Sequence, residues 1–400
     1  ARLMAMTDSR SYDRVLLDSV MSSTWAPLRA AGALAIGQVG AQHGKPGLPL
    51  LQSLLADNDL KVASNAAYAL GLLHDSTSVS SLYLAIGGPV PVAREAAWAL
   101  GEIGSPARVS ITRALSAPGG DEARMIQLLL AAAKLRPVPV REIRPYLAMA
   151  SMPSIQWAAA YAIARTREAA GVRDLITLAT RPDFIRASAT EARGVSSSRA
   201  GPAVTAEAYV NAASGRQRAR AEIARGLAKS AAGDSLADRA IGVLTSLAAD
   251  AHPHVRINAI RSLGTYGKRA RALLVKATAD PDANVRITAA QSLGTVLDSA
   301  LASWTPIWQR DTSLMYRSSL LISATHAGAT LPALNDWKTH RDWHYRAAAL
   351  NAASESVDSL TVLRTATSML KDADGRVRAN AYGLLTGNDT SALPDAIHKT

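Results

Sequence analysis

His340 and His344 stand four residues apart with Asp342 between them, a spacing at which two imidazoles on one helical face can share a zinc ion. The pair falls across the start of a helix expected near 342–354, so the two rings are not on one helical face and no metal site is predicted. His252 and His254 flank Pro253 in a loop and are no better placed. The chain has no cysteine, which removes disulfides, thiol nucleophiles and thiolate zinc sites together. It also lacks a Gly-Xaa-Ser-Xaa-Gly turn, a phosphate loop and a paired-carboxylate motif. No catalytic residue, cofactor or enzymatic chemistry is expected within these 400 residues.

What the chain does offer is binding chemistry. Trp304, Trp308, Tyr316, Trp337, Trp343 and Tyr345 crowd one region beside His340, Arg341, His344 and Arg346. Such a mixture can stack nucleobases or cap a proline-rich strand. Tyr316 and Tyr345 occupy the slot that Val255 fills elsewhere and read as packing, which leaves Trp304, Trp337 and Trp343 open between core and binding roles.

These side chains sit on a repeat. Val255-Arg256, Ala259, Leu263 and Gly264 return thirty residues later as Val285-Arg286, Ala289, Leu293 and Gly294. The arginine of this pattern, seven residues before the leucine slot, recurs as Arg29, Arg124, Arg186, Arg220, Arg256, Arg286, Arg317, Arg346 and Arg378. Two amphipathic segments per period make each unit a helical hairpin that buries its apolar face only against its neighbours. Twelve hairpins are expected. The sixth has helices near 170–180 and 183–194, the seventh near 202–213 and 216–230. Asp57-Asn58-Asp59, Asp280-Pro281-Asp282 and Lys371-Asp372-Ala373-Asp374-Gly375 mark loops that end one helix and cap the next. Pro27, Pro153, Pro182 and Pro253 fall in first turns, where the missing N–H costs nothing.

One elongated core growing unit by unit replaces separate globules, so a single domain is expected over 1–390, with a frayed tail or linker at 391–400. Small polar residues at 194–204 predict a longer loop or a bend. Alanine dominates the apolar fraction and Phe184 is the one phenylalanine, which favours close helix approach. No apolar run reaches the roughly 20 residues needed to span a bilayer. The formal charge of +12 is spread evenly: residues 1–200 carry 21 Lys/Arg against 15 Asp/Glu, residues 201–400 carry 23 against 17. One local excess is Arg216, Arg218, Arg220, Arg225 and Lys229 around Glu222.

The repeat resembles HEAT-like repeats, in particular the short variant of bilin-lyase-type HEAT proteins. It does so through Asp-Pro-Asp-Ala-Asn-Val-Arg-Ile-Thr-Ala-Ala-Gln-Ser-Leu-Gly at 280–294, Asn-Ala-Ala-Tyr-Ala-Leu-Gly at 65–71 and Glu-Ala-Ala-Trp-Ala-Leu-Gly at 95–101. The resemblance implies an all-α fold: a right-handed α-solenoid of about twelve HEAT-like hairpins whose second helices line a concave surface. Positions one turn after the arginine slot would then face a protein or peptide partner: Asn65, Glu95, Asn258, Thr288 and Asn380. Tyr68, Trp98, Tyr161, Arg261 and Gln291 follow three residues on, and Trp343 joins them. Exposed aromatic and arginine anchors suit a protein interface; the competing role for the aromatics is to plug gaps in an alanine-rich core. The arginine ladder reads as structural, with guanidinium forks bonding carboxylates or carbonyls between repeats, the upstream Asp183, Asp282, Asp342 and Asp374 and the aspartates at loop ends being candidate partners.

Two further readings accompany this one. The segments 94–104, 156–162, 252–259 and 342–349 resemble the repeat region that precedes a cyclophilin-type peptidyl-prolyl isomerase in some bacterial proteins. That resemblance implies a non-catalytic arm whose isomerase domain is missing from this chain. The basic balance instead suggests nucleic acid in a basic concave groove, against which Glu95, Glu102 and Glu191 fall near the same face. The start at Ala1 with no leader-like segment, the absence of Cys and the isomerase resemblance favour a secreted or periplasmic location.

Overall fold

The computed structural model describes residues 1–117, 121–166, 168–185, 214–229, 233–356 and 358–386. Arg186, Glu191, the bend expected at 194–204 and the tail at 391–400 lie outside the described residues. Every regular element among the described residues is helical. The chain divides into two compact units, Ala1–Leu227 and Ala228–Thr400, and each is a stack of antiparallel helical hairpins, an α-solenoid.

In the first unit a short helix Arg2–Asp8 precedes the hairpins Arg14–Met21/Ala26–Gly40, Leu48–Leu54/Leu60–Leu73, Val79–Ala85/Val90–Ile103, Arg108–Ser116/Glu122–Ala132 and Val140–Leu147/Pro153–Ile163. The next first helix is Ala169–Thr180, but its stacking partner is Gly215–Gly226, which packs directly on Pro153–Ile163. The segment expected at 216–230 as the second helix of a seventh hairpin therefore takes the place expected for 183–194. The second unit holds Ala237–Leu247/Pro253–Gly264, Arg271–Ala277/Ala283–Ser292, Leu301–Trp308/Leu314–His326, Ala333–Lys338/Trp343–Ala353 and Ser359–Met369/Gly375–Thr386.

Local sequence explains the helix starts. Asp59, Asp121, Asp282, Asp342 and Asp358 are N-caps whose carboxylates accept the first free backbone N–H groups, as Asp59 does from Lys61 and Val62. The upstream aspartates Asp282 and Asp342 are thus engaged with their own helix starts, and Asp374 likewise accepts from the Arg376 N–H. Asp183 pairs with Arg181.

Alanine and glycine set the spacing of the second-helix layer. A Cβ on Gly37 would lie 2.7 Å from the Ala69 Cα, and one on Gly101 would lie 2.8 Å from the Ala131 Cα. The glycine after the repeat's leucine slot is therefore the contact point between neighbouring second helices, and an ordinary side chain there would push them apart.

Candidate protein-interaction surface

Two slots of the second helix carry the polar and aromatic chemistry. The first is the arginine ladder. Arg29 forks onto Asp57 of the next repeat through Nε–H and Nη2–H at 2.9 and 2.8 Å, while its Nη1 donates to the Ser23 and Thr24 carbonyls of its own loop. Arg256 does the same to Asp280, Arg286 to Asp311 and Arg346 to Asp372, each also holding two carbonyls just ahead of its own helix. Arg378 makes the own-loop half of this contact, to Asp372 and Ala373. Arg317 donates to the Asp311 carbonyl and lies 5.2 Å from the Trp308 ring. Arg124 reaches back to the Ile86 carbonyl of the preceding repeat, and Arg220 is buried.

The carboxylate partner thus stands in the following repeat, two residues before its helix cap, and not among the upstream aspartates. That same carboxylate accepts the backbone N–H of the cap residue: Asp57 from Asp59, Asp280 from Asp282, Asp311 from Ser313 and Asp372 from Asp374. The Arg29 fork holds Asp57 below the ordinary aspartate range, and the Arg346 fork does so for Asp372; for Asp311 the Ser313 N–H is the main cause, with Arg286 adding to it. The sequence signal for these partners is an aspartate two before the cap. Where the ladder position is Ala63, the equivalent place in the next loop is Gly87.

The second slot, two residues before the leucine position, holds Tyr68, Trp98 and Tyr161, all half-buried on the open side of the first unit's second helices. Tyr68 and Trp98 stack across neighbouring repeats with ring centroids 4.5 Å apart and planes at 20°. The Lys134 ammonium stands 5.6 Å from the Trp98 ring and is paired with Glu102. Beside the stack, a groove of about 550 Å³ is lined by Leu60, Lys61, Asn65, Tyr68, Arg94 and Glu95. Farther along, Trp157 and Tyr161 lie 6.0 Å apart, with the Arg165 guanidinium 3.4 Å above Tyr161 and Arg218 5.2 Å from Trp157. Glu222 is buried between Arg165 and Arg225, and its burial pushes the carboxyl above the usual glutamate value.

The remaining candidates divide. Asn65 is buried and donates to the Ala30 carbonyl of the preceding repeat, so its amide joins two second helices at the groove's floor. Asn258 and Thr288 were expected on the open face but are buried, each bonded to a carbonyl of its own helix, His254 and Asn284. The position two residues after the arginine points back into the layer in these repeats. Glu95 is half-buried and paired with Arg94. Arg261, Gln291 and Asn380 are exposed in the second unit. Trp304 and Trp337 belong to the core, whereas Trp343 is half-buried under the Arg376 guanidinium at 3.6 Å. Lys134 and Arg165 were not singled out from the sequence and Arg218 only as part of a local basic excess; Lys134 and Arg218 meet their rings across neighbouring helices, where no fixed spacing marks the pair, whereas Arg165 follows Tyr161 by four residues.

The fold and this surface define a class: an all-α repeat protein. HEAT repeats match over residues 207–294 and 242–323, and the PBS lyase HEAT-like repeat matches over 92–117. HEAT-like repeats are thus matched over these segments, and the described residues form an α-solenoid. No curated protein matches the chain. Among solved structures, importin β is similar at 14% identity with a TM-score of 0.53, over 96% of this chain and 53% of that one. Kap95p, from a structure with RanGDP, is similar at 12% identity and a TM-score of 0.52, over 93% of this chain and 55% of that one. The chain spans about half the length of these two neighbours, and at such identities the likeness concerns the fold alone. The CpcE–CpcF phycocyanin lyase complex from Nostoc sp. PCC7120 is more distant, at 19% identity and a TM-score of 0.32, over 76% of this chain and 92% of that one.

Proposed function

We propose that this chain is a non-catalytic scaffold that binds a protein or peptide partner on the open face of its second helices, the concave face of a HEAT solenoid. The observation that carries this reading is the Tyr68–Trp98 stack with Lys134 over it, next to a groove. Stacked, half-exposed aromatics with adjacent cations are the groups that anchor protein interfaces, because they bring large area at low entropic cost and keep a polar edge. Kap95p, which shares the fold, engages Ran, a protein partner. The prolyl-isomerase arm rests on sequence resemblance alone, and the nucleic-acid reading on overall charge.

Affinity capture from the source organism, with the wild type and the Tyr68→Ala/Trp98→Leu variant run in parallel, tests the reading. A partner retained by the wild type and lost by a folded variant supports it. Equal recovery removes this face from the interaction, and recovery of nucleic acid in place of protein overturns the reading.

A further inference from the structure

We propose that the second unit carries a binding site for a small phosphate monoester, in the cavity between the end of helix Leu314–His326, helix Ala333–Lys338 and the start of helix Ser359–Met369, with Lys338 and Arg364 holding the phosphate. The site is separate from the partner-binding face of the first unit and does not rest on that reading.

The cavity has a volume of about 440 Å³, and its side chains are unequal in hydrogen-bonding sense. Lys338, Arg364, Asn335 and the hydroxyls of Thr330, Ser356 and Thr365 can all donate into it. Against them stands Asp358, the one carboxylate among the described residues that line the space. It is already engaged, accepting the Leu360 and Thr361 N–H groups at 3.1 and 3.2 Å and the Thr361 hydroxyl at 2.6 Å. Lys338 makes a single long bond, to the Asn335 carboxamide oxygen at 3.3 Å, and Arg364 makes no hydrogen bond and no ion pair within 4 Å among the described residues. The Lys338 ammonium is half-buried, and the loss of water around it holds it below the ordinary lysine value. A cation so placed gains from an anion that replaces the missing hydration. Thr365 follows Arg364 directly and is 2% exposed in the cavity wall, and its hydroxyl has no hydrogen-bond partner among the described residues. An unpaired buried hydroxyl is destabilising, and the cavity has room for the oxygen that would pair with it. Two cations and several free donors, facing one engaged carboxylate, select an acceptor-rich anion, for which a guanidinium and an ammonium together suit phosphate. A bare phosphate ion would fill only part of the space, since one water molecule's share of the liquid is about 30 Å³. The remainder, beside Thr330, Asn335 and Ser356, suits a short hydroxylated tail.

Isothermal titration calorimetry of the full chain with glycerol 3-phosphate, inorganic phosphate and glycerol tests the assignment, on the wild type and on Lys338→Gln, Arg364→Gln, Thr365→Val and Lys371→Gln. Glycerol 3-phosphate is expected to bind, inorganic phosphate to bind about ten-fold more weakly, and glycerol to give no heat of binding. Lys338→Gln and Arg364→Gln should each weaken the ester about ten-fold, and Lys371→Gln, which alters a cation outside the cavity, should leave it unchanged. Thr365→Val removes the unpaired hydroxyl. It should weaken the ester about three-fold and raise the melting temperature of the free protein, a pairing of signs that a merely structural hydroxyl would not give. No heat with either phosphate probe at millimolar concentration, ester binding unchanged in both cation variants, or an equal loss in Lys371→Gln overturns the proposal. Equal affinity for phosphate and its ester overturns the assignment to an ester. Arg364 is exposed, so Arg364→Gln decides the matter even where Lys338→Gln or Thr365→Val unfolds.

Discussion

Arg256 grips Asp280 of the following repeat through Nε–H and Nη2–H at 2.9 and 2.7 Å, while its Nη1 holds the Asp250 and Ala251 carbonyls at the entry of its own helix. Asp280 in turn presents its own carbonyl to Arg286. This loop is thus clasped from two sides, by the arginine of the helix it opens and by the arginine of the repeat before, as are the loops of Asp311 and Asp372. Both Arg256 and Asp280 side chains are nearly buried, at 11% and 12% exposure, so screening by water is slight. Arg256→Lys removes the planar fork and leaves carbonyls without donors, and is expected to cost about 2 kcal/mol, close to Arg256→Ala. Urea unfolding of the two single variants, Asp280→Asn and the doubles reads this directly. Coupling near zero between positions 256 and 280 would mean that the fork orders the loop without stabilising the stack.

The glycine after the leucine slot supports a second prediction. Gly101 faces the Ala131 backbone, with 2.8 Å left between a Cβ and the Ala131 Cα, and a backbone atom cannot swing aside as a side chain can. Gly101→Ala is therefore expected to destabilise the first unit by about 1–3 kcal/mol in spite of alanine's better helix propensity. Gly242, on the first helix Ala237–Leu247 with open space around its Cβ direction, is the control, and Gly242→Ala is expected to stabilise slightly. Equal effects at the two positions, measured by denaturant midpoint, would refute the close-approach account.

How much of this was legible from the residues depends on the range of the interaction. The helix starts were legible because a cap and its N–H groups lie two or three residues apart, as at Asp59 and Asp282. The ladder arginines were legible because their period is the repeat itself. Their partners were legible only as a choice between upstream and loop-end aspartates; Asp57 and Asp372 lie 28 and 26 residues ahead, in the next loop, and only packing shows that they take the fork while the nearer upstream aspartates are engaged locally. Helix Gly215–Gly226 has the pattern of a second helix, but pattern alone does not say which first helix it joins; only its packing against Pro153–Ile163 does. Asn258 and Thr288 were misplaced because the side chain bonds back into its own helix, which the position of a polar residue in a repeat does not disclose.

The ladder also sets a pH dependence. Asp57 and Asp372 titrate in the folded protein below the ordinary value of 3.8, so the folded state holds fewer protons than the unfolded chain in that window. Their stabilising contribution is complete above 3.8 and is lost as pH falls from there toward the depressed folded values. Glu222 has the opposite sign: its carboxyl is raised above 4.5 by burial, so its contribution is present below 4.5 and declines as pH rises through its folded value. Melting temperature measured down an acid series should fall below 3.8 in the wild type. The Asp57→Asn/Asp372→Asn variant should show a lower plateau and a shallower fall. A parallel fall would show that other carboxylates carry the acid response.

The aromatic residues separate into two kinds, and the last prediction sets them against each other. Trp304 is fully enclosed in the second unit, and its indole N–H donates to the Asp298 carbonyl at 2.7 Å. Trp304→Ala should leave a large void and cost about 3–5 kcal/mol. Tyr68 is half-buried, stacked on Trp98 on an open face, and its truncation removes one stacking contact and part of its area, an expected loss of about 1 kcal/mol. If the open face of the first unit is where a partner docks, the order reverses for binding. Partner capture at a temperature where both variants are folded should drop steeply in Tyr68→Ala and stay near wild type in Trp304→Ala. The same order in both measurements would place Tyr68 with the core aromatics and move the interaction surface elsewhere.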